Sequence, residues 1–321
     1  MTEHRLGYSF IIPAYNDAEG LIRHFDYFRA HTPDDHSVEL IIVDDCSTDN
    51  TGDVLTRAEL PDHISLVYHR MAQNGGAGPA RNAGITLATL DRVMFLDADD
   101  LLAPCFFRIM RLAPLVGDVD FVMFKYHLST NPAQRFTYDM HQVDRQFYSR
   151  NSAPTFPMQQ FRLQDRPYAP ATVNFPWNKL YRRDFLIQSG MRFPDLRMHE
   201  DITPNWQAFL RCRSFGVMDW APPLITHYEI TSGDRATQYI GEKRLEIYDE
   251  LKHIEAEILT HEQADRISKT FVDFCTTLFD WMSGPLCAEN GDDGRLWEPR
   301  YRAAAQAYWE TSKIAAAKAK S

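Results

Sequence analysis

The residues of this chain that could do chemistry gather directly behind short apolar runs. VMFL (93–96) is followed by Asp97, Asp99 and Asp100, three carboxylates in four positions. Like charges this close repel unless a cation offsets them, and two aspartates spaced i, i+2 after a strand can aim at a divalent ion and its attached phosphates. Alternatively, Asp99 or Asp100 caps a following helix, LLAPCFFRIMRL. VELIIV (38–43) is followed by Asp44 and Asp45 and then by Ser47, Thr48 and Asp49, which also suit a helix start. NGGAGPARN (74–82) offers backbone able to approach phosphates, with Arg81 beside it, but lacks the Lys and Ser/Thr of a P-loop and the full G-x-G-x-x-G spacing. Further on, His199, Glu200 and Asp201 open the helical pattern ITPNWQAFLRC, where acidic residues also favour the helix dipole. His227 and Arg235 lie in LITHYEITSGDRATQ, a polar stretch after a strand-like run.

The elements that must position these groups follow from hydrophobic periodicity. YSFII (8–12), VELIIV (38–43), ISLVYH (64–69) and RVMFL (92–96) read as strands buried on both faces. Helical patterns lie between them: EGLIRHFDYFRAH, STDNTGDVLTRAE and PARNAGITLATL. The order βαβαβαβ predicts a parallel sheet wrapped by helices. In such sheets ligands bind beyond the carboxyl ends of the strands, so PAYND (13–17), DDCSTDNT (44–51), NGGAGPARN and DADD are expected to line one edge. A fifth strand is expected at VDFVMFKYHL (119–128), and the stretch from there to about residue 172 carries no clear pattern.

Across residues 8–100 the chain resembles family 2 of the inverting glycosyltransferases, whose nucleotide-sugar-binding fold is called GT-A. The resemblance rests on I-I-P-x-Y-N (11–16), V-D-D-x-S-T-D-x-T (43–51), A-R-N-x-G (80–84) and D-A-D-D (97–100), in the family's order. It continues at FPWNKLYRRDFL (175–186) and HED (199–201) and fades after about residue 235. The resemblance implies a metal-dependent transfer of sugar from a nucleotide-diphosphate sugar, with UDP as the expected nucleotide, to a hydroxyl acceptor in surface polysaccharide or glycoconjugate synthesis. It implies that Pro13, Tyr15, Asn16 and Asp45 frame the base and ribose, with Asp44 beside them, Arg81 near the base or diphosphate and Asp97 near the ribose. Asp99 would hold Mn²⁺ or Mg²⁺, His227 would complete the metal and phosphate shell, and Arg235 would meet the diphosphate. Asp201 would be the catalytic base, with Glu200 next to it.

Two other readings compete. A sugar nucleotidyltransferase would carry a Gly-rich, Arg- and Lys-containing loop after the first strand, where this chain has PAYNDAEG. A non-catalytic nucleotide-sugar-binding partner in a polysaccharide-assembly complex would not need both Asp99 and Asp201.

The whole chain sets the frame. Its 321 residues, 44% apolar and 24% charged, suit an ordinary folded protein with one main domain and an appendage. The resemblance implies a GT-A catalytic domain over 1–237, and a helical region over 238–321 follows it. Helices are expected near 239–259, 263–283 and 296–317, packed on each other and on the catalytic domain. The faces they carry also raise contact with a second subunit or a membrane-borne acceptor. The tail from residue 312 is expected to be dispensable for donor binding. A net charge of −10 speaks against binding nucleic acid by phosphate neutralisation. Five scattered cysteines without a C-x-x-C pair read as reduced thiols, and no apolar run is long enough for a membrane span, so a cytoplasmic protein, peripheral to the membrane at most, is expected.

Overall fold

The computed structural model describes residues 6–112, 119–129, 140–150, 155–228 and 239–318. Strand β1 (Leu6–Ala14) leads into helix α1 (Ala18–His31), β2 (His36–Asp44) into α2 (Thr51–Thr56), and β3 (Ile64–Arg70) into α3 (Ala77–Leu87), before β4 (Arg92–Phe95). Helix α2 is shorter than its sequence pattern suggested. The Asp49 carboxylate turns onto Thr51, accepting from its backbone N–H and its hydroxyl, so Ser47 and Thr48 stay in the loop and the helix starts at Thr51.

After β4 the expected helix is delayed. Leu101–Leu102 form β5, and α4 (Phe106–Met110) begins only beyond Pro104, so neither Asp99 nor Asp100 caps a helix. The expected fifth strand is divided at Lys125 into β6 (Phe121–Phe124) and β7 (Tyr126–Ser129), which join different sheets. Next come α5 (Gln142–Ser149), β8 (Gln159–Phe161), β9 (Lys179–Arg182), α6 (Arg183–Ser189), α7 (Ile202–Arg211), β10 (Phe215–Met218) and β11 (Ile225–Tyr228). The C-terminal part is helical: α8 (Ile247–Thr260), α9 (Ala264–Ser283), α10 (Pro285–Glu289), α11 (Gly291–Thr311) and α12 (Lys313–Lys318). No helix among the described residues is long and apolar enough to cross a membrane.

The main sheet has the order β3-β2-β1-β4-β9-β6-β10-β8. Strands β1 to β4 are mutually parallel, β9 runs against both β4 and β6, and β8 runs against β10. The chain moves outward from β1 through β2 to β3, then returns to place β4 on the other side of β1. That reversal opens a crevice at the carboxyl ends of β1 and β4. A smaller sheet, β5-β11-β7, sits beyond it and pairs Thr226 with Leu101.

Both faces of β1, β2 and β4 are buried, which explains their unbroken apolar runs, whereas β3, expected to be buried on both faces, is the edge strand and is largely exposed. Alternate residues Phe10, Ile12, Leu40 and Ile42 meet Phe25 and Phe28 of α1 and Phe106 and Phe107 of α4. Ile11, Ile41, Val93 and Phe95 face the other way, into a core that continues through Trp206 and Phe209 of α7 to the C-terminal helices. Helix α3 lies close on β1: a side chain at Gly84 would meet Ile11 Cγ2 at 2.3 Å. Trp206 meets Phe271 and Phe274 of α9 edge-on, at ring separations of 5.0 and 5.4 Å. The C-terminal helices therefore complete the core on this face.

The tail is more deeply attached than expected. Buried Glu255 of α8 accepts from the Ser312 hydroxyl at 2.9 Å and the Ile314 backbone N–H at 2.7 Å, and both Ser312 and Ile314 are buried. Deleting the tail would strip this buried carboxylate of two donors. Glu255→Ala is expected to lower the unfolding free energy by about 1–3 kcal/mol, the usual cost of leaving buried polar groups unmatched. Urea denaturation checks this, and an unchanged midpoint would show that the tail is held by packing alone.

Candidate active site

A cleft of about 1110 Å³ opens at the carboxyl ends of β1 and β4. Part of its wall comes from strand ends and the Gly-rich loop: Pro13, Tyr15, Asp45, Gly75, Gly76, Arg81 and Asp97. Another part comes from Trp177, Glu200, Asp201 and His227, and a third from Lys243, Arg244 and Trp281 in the C-terminal region.

Asp44 and Asp45 are adjacent, yet the pleat sends them to different tasks. Asp45 holds the Gly-rich loop: its two carboxylate oxygens accept from the Gly75 and Gly76 N–H groups at 2.8 and 2.7 Å. Gly76 has φ +86°, a backbone that suits glycine. Burial raises the Asp45 carboxyl above its ordinary range, against the pull of those two amides. Asp44, by contrast, is fully buried and does not line the cleft. It accepts from the Ser47 N–H, the Tyr68 hydroxyl and Arg70. Burial would raise its carboxyl, but these donors together hold it below the usual range. Asn16 also departs from the expected place. With φ +52° it turns its Oδ1 to the backbone N–H groups of Thr48 and Asp49, tying the first two strand-end loops together outside the cleft.

Arg81 is buried, and both of its terminal nitrogens are engaged. One donates to Asp97 Oδ1 at 2.7 Å and the other to Glu200 Oε1 at 2.9 Å, while the guanidinium lies 5.3 Å from the Phe193 ring centre. Burial would make this cation easier to deprotonate, but the two carboxylates overcome that and raise its pKa. Arg81 therefore braces two cleft carboxylates.

Asp201 stands at the head of α7 but makes no side-chain cap bond. Burial first, then the Glu200 charge, push its carboxyl up to about 7, with Arg81 pulling the other way. A carboxylate poised near neutrality and facing a cleft is suited to accept a proton. Before it, His199 has φ +64°, and its Nε2 accepts from Arg244 at 2.8 Å.

The acidic turn after β4 meets His227 of β11. Fully buried Asp100 bonds His227 Nδ1 at 2.7 Å, and its Oδ2 has no hydrogen-bond partner among the described residues. Burial raises Asp100. His227 is raised too, because the carboxylate outweighs its burial. The imidazole stacks on Trp177 at 5.1 Å, and Trp177 stacks on Phe175 at 4.4 Å. Asp99 is half-buried in the same turn and does not itself line the cleft, though its charge is felt at His227. Arg235 lies outside the described residues.

Among the described residues no three His, Cys, Asp or Glu side chains converge as a ready metal cage. The donor set still fits Mg²⁺ or Mn²⁺, which are commonly held by one or two carboxylates together with substrate phosphates. A histidine whose Nδ1 is fixed by a carboxylate keeps Nε2 for a ligand.

The sequence reading did not single out Lys179, Arg244 or Trp281. Lys179 belongs to the W-N-K-L-Y stretch. It is fully buried, donates to the Phe175 carbonyl and Asn178 Oδ1, and is lowered by burial to about 8. Arg244 and Trp281 carry no local signal, since only packing of the C-terminal helices brings them to the cleft.

Fold and cleft together define an α/β protein with the mainly parallel, helix-flanked sheet and helical C-terminal region expected of the GT-A fold. The model of Glycosyl transferase family 2 matches residues 9–190, and the chain belongs to that family. It is 39% identical over 122 residues to an uncharacterized glycosyltransferase of Nostoc sp., a match covering 37% of this chain and 36% of that protein. It is 25% identical to glycosyltransferase GlyG of Streptococcus pneumoniae, over 58% of this chain and 62% of that one. The matches thus span about a third to three-fifths of these relatives' lengths. Among solved structures it shares its fold with residues 1–349 of S. aureus TarS in complex with UDP-GlcNAc, at TM-score 0.74 and 17% identity, covering 96% of this chain and 82% of that one. A mannosyltransferase of Pyrobaculum calidifontis in complex with GDP-Man and Mn²⁺ aligns at TM-score 0.53 and 19% identity, covering 97% and 89%.

Because Arg81 braces two carboxylates at once, Arg81→Met is expected to cost about 3 kcal/mol of stability, the scale for removing one partner of a buried ion pair. Arg81→Lys should recover only part of this, since one ammonium cannot reproduce the fork. Chemical denaturation of the two variants checks it, and a wild-type midpoint in Arg81→Met would mean that the bridge adds nothing to stability.

Proposed function

We propose that this protein is an inverting glycosyltransferase that moves a sugar from a nucleotide-diphosphate sugar, with UDP as the favoured nucleotide, to a hydroxyl acceptor in bacterial polysaccharide or glycoconjugate synthesis. The observation that carries the reading is Asp201. Its carboxylate faces the cleft, is not spent on capping α7, and is pushed up to about 7.

On this reading Pro13, Tyr15 and Asp45 receive the nucleobase. Each Asp45 oxygen keeps a lone pair beyond its glycine amide, so the carboxylate can accept from the base N–H while holding the loop. Asp97, oriented by Arg81, is placed for the ribose. Asp99 and His227 would hold Mn²⁺ or Mg²⁺, which when bound neutralises charge on the departing diphosphate. Asp201 takes the proton of the acceptor hydroxyl as that oxygen bonds to the anomeric carbon and the bond from carbon to the diphosphate oxygen breaks. The nucleoside diphosphate leaves with the bonding electron pair, and one displacement inverts the anomeric centre. Glu200, held by Arg81, adds the neighbouring charge that keeps Asp201 basic.

A calorimetric screen of UDP-sugars with Mn²⁺ identifies the donor, and release of UDP with and without acceptor reports turnover. Asp201→Asn is expected to bind donor normally but lose transfer by about 10²-fold or more. Loss of donor binding instead would mean that Asp201 supports the helix start. The base must be unprotonated to work, so the wild-type rate should rise with pH through about 7 and then level off. A rate independent of pH between 5.5 and 8 would exclude a group titrating there. Asp99→Asn should remove most Mn²⁺-dependent UDP affinity without unfolding the protein, and full metal-dependent turnover in that variant would remove Asp99 from the metal site.

A further inference from the structure

We infer that Arg244, acting through His199, is a positioning residue for the Asp201 carboxylate, so that the C-terminal helical region sets proton-transfer geometry without touching the reacting atoms. The inference rests on Asp201 being the base.

His199 has a left-handed backbone, φ +64°, which side-chain-bearing residues adopt rarely and keep only where their surroundings enforce it. Its carbonyl accepts from the Ile202 N–H at 3.2 Å, closing the turn that carries Glu200 and Asp201 into α7. The direction in which the Asp201 side chain leaves that turn depends on the His199 dihedrals.

The side-chain partner of His199 comes from the C-terminal region. Arg244 donates from Nη1 to His199 Nε2 at 2.8 Å, which requires a neutral ring with its proton on Nδ1. Burial and the neighbouring guanidinium keep the ring neutral, lowering His199 to about 3. Arg244 is itself fixed: Nε and Nη2 donate to the Tyr239 carbonyl at 2.9 and 2.7 Å, and the guanidinium lies 5.3 Å from the centre of the Trp281 ring. The same indole meets the His199 ring edge-on at 6.1 Å. The turn bearing Arg244 is anchored to α11, where the Tyr301 hydroxyl accepts from the Gly241 N–H and donates to its carbonyl. Meanwhile Arg81 holds Glu200. Residues 199 and 200 are thus pinned from two separate parts of the fold, and the carboxylate of residue 201, which makes no cap bond, is left facing the cleft between them.

The test is a double-mutant cycle on the full chain, using the donor identified by the calorimetric screen. Arg244→Met is expected to lower kcat by about 10²-fold, the scale of a small misplacement, with donor KM unchanged within about twofold. In the Asp201→Asn background the same change should cost nothing further, because the two act as a unit. His199→Asn should retain most activity, since Asn tolerates the left-handed region and its Oδ1 can accept from Arg244, whereas His199→Ala should not. Should Arg244→Met fail to fold, the His199 pair decides the matter. Additive losses in the cycle, a raised donor KM with unchanged kcat, or a His199→Asn variant no better than His199→Ala would overturn the proposal. Undiminished transfer by Asp201→Asn would instead defeat the assignment of the base itself, a different failure from an inactive Asp201→Asn beside a fully active Arg244→Met.

Discussion

The site depends on one buried cation with two carboxylates. Arg81 comes from α3, Asp97 follows β4, and Glu200 precedes α7, a separation of 119 residues between Arg81 and Glu200. Carboxylates drawn together at strand ends repel, and in a low-dielectric cleft that repulsion is strong. A guanidinium forked between two of them offsets it and fixes both in direction. With Arg81 occupied in this way, the third carboxylate, Asp201, is left basic near neutrality. How the Arg81 charge is shared between Asp97 and Glu200 sets the electrostatics on this side of the cleft.

The other acidic residues obey the same rule: each is either matched by donors or left for a ligand. Asp44 is surrounded by the Ser47 amide, Tyr68 and Arg70 and ties the end of β2 to β3. Asp45, one residue past the end of β2, holds the glycine loop. Asp100 is paired with His227, which in turn rests on the Trp177 and Phe175 rings. This pairing ties the turn after β4 to β11, alongside the pairing of β5 with β11 in the small second sheet.

The C-terminal helices contribute both to the core and to the cleft. Residues 267, 271 and 275 of α9 are buried against the protein, while Phe274, Leu278 and Trp281 of the same helix line the cleft. One helix therefore stabilises the fold and shapes the site, and a change to either face is expected to be felt at the other.

The amino-acid sequence by itself determined the alternating strands and helices of the first hundred residues, because strands buried on both faces need uninterrupted apolar runs and the loops at their ends need Gly, Asn and Asp. It also marked Pro13, Tyr15, Asp45, Arg81, Asp97, Glu200, Asp201 and His227, which the fold gathers at the cleft, since each stands in or beside the turn at a strand or helix end. It could not separate Asp44 from Asp45, or tell that Asn16 serves a loop, because neighbouring residues of like chemistry differ only in which way the backbone turns them. Nor could it show that VDFVMFKYHL breaks between two sheets or that Asp100 leads into a strand, since two-residue pairings are decided by the partner strand. The meeting of Arg244 and Trp281 with His199 was settled only by tertiary structure: contacts between residues so far apart in the chain depend on how helices pack, and packing leaves no local periodicity to read.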